Sequence, residues 1–306
     1  MEHFDNMEHF YIIANYHKDP DHRVSRRICQ YLEQHGKRCS IQSNDNSCSS
    51  GYTDEKNIPE DVDCILVLGG DGTLLQAARE TLFLGIPLLG INLGTLGYLA
   101  DVEECDIEEA LSLLLEGAYE IEQRMMLSGR ILPAADTLPE DNPESEIVSS
   151  KMHALNDIVI TRCGTLQIIR FRIWVNGQVL NEYEADGVII ATPTGSTGYN
   201  LSAGGPIVEP RAEMLLITPV CPHTLNTRTI ILAPEDVIEI EIAPGRDNTI
   251  QKVEVDFDGS NRQILSSGDR VEIRRADRKT GIVKINKISF LEILHRKLSN
   301  GCKRKE

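Results

Sequence analysis

Basic residues are in short supply: 31 Lys and Arg stand against 47 Asp and Glu, leaving a formal net charge of −16. Binding a phosphate backbone needs a basic footprint, so nucleic acid is excluded as the main partner. A small anionic substrate carried by a divalent cation stays compatible with that balance. Long apolar runs are missing too. No stretch of eighteen or more apolar residues occurs, so neither a spanning helix nor a membrane partner is expected. The opening MEHFDNMEHFYIIANY has no basic segment leading into an apolar one, and no signal peptide is expected. Its repeated MEHF reads as an alternative translation start or a harmless duplication. Eight cysteines are scattered with no C-x-x-C pair. That argues against a disulfide or zinc framework and for reduced thiols in a cytoplasmic setting. No internal repeat or low-complexity segment stands out.

What is present suits a globular protein. With 306 residues, 41% hydrophobic and 25% charged, the chain has material for two domains or one large one. Tyr11 to Asn15 reads as a short buried strand. Val24, Ile28, Tyr31, Leu32 and His35 then recur at helical spacing, with Gly36 where a helix C-cap belongs. Residues 42–57 are polar and turn-rich, a surface loop. DCILVL (63–68) is a second apolar run that ends directly in GGDGT. Leu74, Leu75, Ala77, Ala78 and Leu82 follow at helical spacing, Gly85 and Pro87 end that helix, and PLLGIN begins another strand. Asp106 and Glu109 form a D-x-x-E capping signature ahead of Ala110 to Leu115. Strands alternating with helices predict a Rossmann-like parallel α/β sheet.

Beyond about residue 122 the period changes to two. Phe171, Ile173 and Val175 alternate with Arg170, Arg172 and Trp174, and Asn176-Gly177 is a hairpin signal. VIEIEIA, KVEVDFDG and DRVEIRRA read as further strands, and no helix of any length is expected between 150 and 275. An acidic, proline-bearing connection occupies 133–150. The expected organisation is an α/β domain over 1–122, a β-rich sandwich over 123–277, and a tail over 278–306 that returns to the first domain.

Two glycine clusters carry the chemistry. In VLGGDGTLL (67–75), Gly69, Gly70 and Gly72 leave little bulk where a strand turns into a helix, so backbone N–H groups there can face a phosphate. No G-K-[ST] follows and the spacing is not G-x-G-x-x-G. Asp71 sits at the centre, where its charge would repel phosphate. Either it caps the helix in a tight turn, or it orients an attacking hydroxyl while a cation and the amides hold the phosphates. Thr73 could cap the helix or donate a hydroxyl. The second cluster is ADGVIIATPTGSTGYNLSAGGPIVEP (185–210), where a buried strand ends in Thr192-Pro193-Thr194-Gly195-Ser196-Thr197-Gly198. Four hydroxyls and two glycines make a polar, close-approach loop, although solvated loops share that composition.

GGDGT together with PTGSTGYNLSAGGPI resembles the NAD kinase family of bacterial type, which makes NADP by phosphorylating the adenosine 2′-hydroxyl of NAD. NLGTLGYL (92–99), YEIEQRMML (119–127), ALNDIVI (154–160), PHTLNTR (222–228) and FDGSN (257–261) match in the same order. The likeness covers roughly residues 10 to 298. GGDGT alone is shared with diacylglycerol and sphingosine kinases and loosely with phosphofructokinases; the Thr/Gly/Ser segment is what separates NAD kinases from them. The resemblance implies that Asp71 is catalytic and that Gly70, Gly72 and Thr73 line the ATP phosphates. It implies NAD contacts from Asn92, Tyr98, Asn156, Asp157, Asp186, Thr194, Thr197, Gly198, Tyr199 and Ser202. Asp157 would accept ribose hydroxyls and Asp186 would reach toward the nicotinamide end; Tyr98 would pack near adenine or serve as a core aromatic. Asp258 and Gly259 belong to a turn near the site. The resemblance further implies NAD and ATP as substrates, a divalent cation such as Mg2+ with no dedicated metal ligands assigned, and a homodimer or homotetramer. Rival readings are another GGDGT kinase acting on a lipid or sugar phosphate, and a non-catalytic dinucleotide sensor on the same fold. His223 reads as a structural histidine, Trp174 as packing, and Lys303, Arg304 and Lys305 as a solvated end.

Overall fold

Two stretches in which every residue is buried, Cys64–Gly69 and Leu88–Asn92, mark the centre of the first unit. A computed structural model describes residues 7–42, 53, 55–94, 97–134, 151–164, 167–224, 228–285 and 289–300. The first MEHF, most of the 42–57 and 133–150 stretches, residues 225–227 and the basic end at 303–305 lie outside the described residues. The chain divides into two units, Met1–Arg124 with Lys279–Glu306, and Met125–Arg278.

The first unit opens with β1 (His9–Ala14), α1 (Arg23–Gln34), β2 (Arg38–Ile41), β3 (Cys64–Gly69), α2 (Asp71–Glu80), β4 (Leu88–Asn92), β5 (Val102–Glu103), α3 (Ile107–Leu115) and β6 (Glu120–Arg124). Strands β2, β1, β3 and β4 lie side by side in that order, all parallel. Both faces of β3 and β4 are covered, which is why each reads as one continuous apolar run. α1 buries Val24, Ile28 and Leu32, and the chain leaves it through Gly36 at φ 76°, a left-handed position that glycine takes without penalty. The expected D-x-x-E cap is not made. Asp106 precedes α3, but its side chain makes no capping bond. Its backbone (φ −101°, ψ 6°) lies outside the extended region from which a capping carboxylate reaches the first helical amides.

The second unit holds β7 (Leu127–Leu132), β8 (Met152–Ala154), β9 (Asp157–Arg162), β10 (Ile169–Val175), β11 (Gln178–Ala185), β12 (Gly187–Ala191), the short helix α4 (Tyr199–Ser202), β13 (Leu215–Val220), β14 (Ile230–Leu232), β15 (Ile238–Ile242), β16 (Lys252–Phe257), β17 (Gln263–Ser266) and β18 (Arg270–Arg275). These form two six-stranded sheets, β11-β10-β15-β18-β7-β8 and β14-β13-β12-β9-β16-β17. One core joins them. Phe171, Ile173, Ile240 and Val271 from the first sheet pack with Ile158, Ile160, Ile190, Val255 and Phe257 from the second, the alternation a sandwich requires. Asn176 (φ 51°) and Gly177 (φ 75°) make the β10–β11 turn, both with the positive φ that a tight hairpin demands. Trp174 lies on the outer side of β10, where its indole N–H donates to Glu241 at 3.3 Å and the Arg270 guanidinium sits 5.8 Å from the ring.

The chain then returns to the first sheet through β19 (Thr280–Lys284), parallel to β4 and antiparallel to β6, and ends in α5 (Phe290–Asn300). Asp101 fastens the return by accepting from the Ile285 N–H at 3.1 Å and the Lys284 ammonium at 3.3 Å. Among the described residues no helix is long and apolar enough to cross a membrane.

Candidate active site

In a parallel sheet the chemistry collects beyond the carboxyl ends of the strands. Here β3 runs out at Gly69, Gly70 precedes α2, and Asp71 is the first helical residue. A side chain on Gly69 would overlap the Thr73 hydroxyl, which accepts a hydrogen bond from Asn15 Nδ2 at 3.2 Å. Neither Asp71 nor Thr73 caps the helix, so the capping alternative is withdrawn. The Asp71 carboxylate reaches instead to the loop after β4. Its Oδ2 accepts the Tyr98 N–H at 2.7 Å, and its Oδ1 accepts those of Leu99 and Ala100 at 3.2 and 3.3 Å. A carboxylate offers about four lone-pair positions, so one acceptor position on Oδ2 stays available. Gly97 makes this possible, because a Cβ there would overlap Asp71 Oδ1. Asn92, at the end of β4, is only 2% exposed, and among the described residues neither end of its amide has a partner. The first amides of α2, on Asp71 and Gly72, have no hydrogen-bond partner among the described residues. Tyr98 is half-buried, not a core aromatic. The Lys297 ammonium lies 4.2 Å from its ring centroid, and burial raises its hydroxyl pKa.

The second unit carries its own polar cluster, where β9 starts and β12 ends. Asp258, at φ 53° in a turn with Gly259, accepts the backbone N–H groups of Leu155, Asn156 and Asp157 at 2.8, 2.8 and 3.1 Å. The Thr192 hydroxyl donates to the Leu155 carbonyl at 2.6 Å and accepts the Gly195 N–H at 3.1 Å. The loop is thereby laced onto residues 155–157. Gly195 crosses so close to the Asn156 carbonyl that a Cβ would overlap it. At Gly198 a Cβ would stand 3.5 Å from Asn156 Nδ2 and 3.9 Å from Asp157 Oδ2. Among the described residues Asn156 Oδ1 and Thr194 Oγ1 are buried without hydrogen-bond partners, polar atoms of the kind that a ligand or water satisfies. Asp157 is 6% exposed. Burial, followed by the charges of Asp258 and Asp256, pushes its pKa up to about 7. Gly195→Ala should therefore destabilise the protein by about 1–3 kcal/mol and weaken ligand binding at this cluster, read by thermal unfolding and calorimetric titration.

Not every sequence-predicted residue joins these clusters. Asn156, Asp157, Thr194 and Gly198 meet, and the Thr197 hydroxyl turns back to the Thr194 carbonyl at 3.4 Å. Tyr199 and Ser202 stand exposed on α4. Asp186 lies before β12 while the loop follows it, a separation of roughly 16 Å at strand rise. There it faces Arg162 at 3.7 Å. His223 is exposed, and its backbone N–H donates to the Glu184 carbonyl at 2.8 Å. Residues to which sequence reasoning gave no individual role are Lys18, Asn15, Gly97 and Thr192. Lys18 donates to the Gly69 carbonyl at 3.2 Å across 51 positions of chain, and nothing local marks it. Gly97 was legible as a glycine within NLGTLGYL, although its purpose was not.

Among the described residues no three His, Cys, Asp or Glu converge on a point that could hold a metal ion. The one carboxylate of the glycine loop, Asp71, has most of its acceptor positions taken by amides. This donor set does not build a resident metal site.

A parallel α/β unit with G-G-D-G-T at a strand-to-helix turn, joined to a β-sandwich unit with an Asn-Asp pair, its aspartate buried, against a glycine loop, defines a GGDGT-type phosphotransferase. The chain belongs to the NAD kinase family. Residues 30–119 match the ATP-NAD kinase N-terminal domain and 155–285 the C-terminal domain. It is 44% identical to the NAD kinase of Lachnoclostridium phytofermentans over 96% of this chain and 100% of that one. Against the NAD kinase of Agathobacter rectalis identity is 45%, over 96% and 99%. The crystal structure of yeast NADH kinase complexed with NADH superposes with a TM-score of 0.79 at 25% identity, covering 99% of this chain and 90% of that one. An NAD kinase from Archaeoglobus fulgidus in complex with ATP shares the fold, with a TM-score of 0.72 at 24% identity over 95% and 98% of the two chains.

Proposed function

We propose that the protein transfers the terminal phosphoryl group of ATP to the adenosine 2′-hydroxyl of NAD, giving NADP. The observation that carries this reading is the second cluster. A buried carboxylate, Asp157, receives no hydrogen bond from any described residue, its Oδ2 and the Asn156 Nδ2 both face Gly198 of the loop, and Asn156 Oδ1 and Thr194 Oγ1 have no partner among the described residues. Groups of that kind suit neighbouring ribose hydroxyls, which donate and accept at close spacing. Thr197, Gly198, Tyr199 and Ser202 line the same loop. Asp186, a strand length away, serves the far, nicotinamide end of an extended dinucleotide; in the first unit Tyr98 takes the adenine, and Asn92 contacts NAD where the donor phosphates approach.

Catalysis is assigned to Asp71. Its remaining Oδ2 position accepts the attacking hydroxyl and takes its proton late, once the new P–O bond has acidified it. Gly70, Gly72 and Thr73 line the donor phosphates, which approach the free amides at the positive end of α2. A divalent cation such as Mg2+, carried by the triphosphate, would supply charge neutralisation there. Cytoplasmic location and a homodimeric or homotetrameric assembly belong to the same proposal. Incubation with Mg-ATP and NAD should yield NADP by a coupled NADP-dependent dehydrogenase assay. A protein that binds both nucleotides yet forms no NADP is a sensor; one that phosphorylates a lipid or sugar phosphate instead is another GGDGT kinase.

A further inference from the structure

Lys18 is the cation at the glycine loop. β1 ends at Ala14, and the next four residues form a turn whose backbone is fixed on both sides. The Lys18 and Asp19 N–H groups both donate to the Asn15 carbonyl at 3.0 Å, and Asn15 itself donates to the Leu68 carbonyl at 2.8 Å. Downstream, the buried Asp19 carboxylate accepts the Val24 and Ser25 N–H groups at 3.1 and 2.9 Å and the Ser25 hydroxyl at 2.6 Å. From this anchored turn the exposed side chain of Lys18 reaches back over the end of β3. Its ammonium lies 3.0 Å from where a Cβ on Gly70 would stand and 3.2 Å from the same point on Gly94. Both glycines thus leave the space that the ammonium uses.

Three features of this position are unfavourable without an anion. Many of this acidic chain's cations face a carboxylate, as Lys37 faces Glu8 and Arg38 faces Asp61. Among the described residues Lys18 has none, and its one hydrogen bond goes to the Gly69 carbonyl. It also stands beside the N-terminus of α2, where the helix dipole already places positive partial charge. The adjacent side chain, Asn92, is 2% exposed, and among the described residues both its amide atoms are unpartnered. Asn92 Oδ1 lies 4.0 Å from the same Gly94 point that Lys18 approaches. An ammonium, two free helix amides and an unsatisfied amide side chain around a common space are the complement of a polyphosphate.

We infer that Lys18 binds the β- and γ-phosphates of the nucleoside triphosphate and offsets the negative charge of Asp71 during transfer. This rests on the kinase reading above, and the two fail in different ways. Lys18→Gln should raise the KM for Mg-ATP by about 10–100-fold, the scale of one charge-assisted hydrogen bond, while the KM for NAD stays within about twofold. Lys18→Arg should recover most of the loss, because any cation of that reach serves phosphate. Calorimetry with inorganic triphosphate, in the absence of NAD, should give weaker binding for Lys18→Gln than for wild type, at matched melting temperatures. Wild type that forms no NADP overturns the kinase reading itself. Wild type that forms NADP, with a Lys18→Gln variant of unchanged KM for Mg-ATP and unchanged triphosphate affinity, overturns the assignment of Lys18 alone. Equal losses toward both substrates that Lys18→Arg does not repair also overturn it, since they would mark a turn-holding side chain.

Discussion

Asp71→Asn is expected to lower turnover by about 10²–10⁴-fold, the usual range for a positioned proton acceptor. The substitution changes two things at once, and the geometry separates them. As a carboxylate, Asp71 accepts three consecutive backbone N–H groups, from Tyr98, Leu99 and Ala100. An asparagine keeps acceptor capacity on its oxygen only, so its NH2 must face at least one of those donors. That mismatch costs about 1–3 kcal/mol and loosens the loop that carries Tyr98, so a modest rise in the KM for NAD should accompany the loss of turnover. Gly97→Ala tests the same arrangement from the other side. It leaves the carboxylate chemically intact but takes away its position, because the new methyl would overlap Oδ1. A displacement near 1 Å is enough to cost about 100-fold in rate, so Gly97→Ala should approach Asp71→Asn in steady-state assays. Circular dichroism and melting curves check that both variants remain folded. Should Asp71→Asn turn over like wild type while its melting temperature drops, Asp71 is an anchor for residues 98–100 and not the group that receives the proton.

The motif announced Asp71, but its partners could not be read. They lie 27 to 29 residues away and contribute backbone amides, which leave no trace in side-chain identity. Asp258 holds residues 155–157 in the same manner across 101 to 103 positions. The unbroken apolar runs of β3 and β4 were legible because both faces of a parallel strand are buried. The β10–β11 hairpin was legible because Asn-Gly is the pair that tolerates its positive φ angles. The separation of Asp186 from Asn156-Asp157 was hidden, since it depends on register: Ala191 pairs with Asp157, and Gly187 with Thr161, so Asp186 falls at the other end of the strand pair. The D-x-x-E cap failed for a local reason. The 3-10 turn over Glu104–Asp106 runs straight into α3, and this leaves Asp106 in the wrong backbone region to cap it.

Asp157→Asn is expected to stabilise the protein and impair it together. The Asp157 carboxyl has a folded-state pKa pushed up to about 7, first by burial and then by Asp258 and Asp256. In the unfolded chain it titrates near ~4. A pKa raised by folding means the fold favours the protonated form. The stabilisation is complete below the unfolded value and is lost as pH rises through about 7, above which the ionised group costs the fold a few kcal/mol. A neutral asparagine escapes that penalty. The variant should therefore melt higher than wild type at pH 8, with a gap that narrows below pH 7 and closes toward pH 4. Function should move the other way. If ionised Asp157 accepts two ribose hydroxyls, each charge-assisted bond contributes about 1.5–3 kcal/mol. Loss of the charge then lowers kcat/KM for NAD by at least about 100-fold. Wild type should lose NAD affinity as pH falls below about 7, whereas the variant should show a flat, weak profile. Calorimetric titration of NAD from pH 6 to 8, beside melting curves on both proteins, reads the two effects separately. An Asp157→Asn enzyme with undiminished kcat/KM for NAD would remove the carboxylate from the ribose site, and the higher melting temperature would then record only the relief of a buried charge.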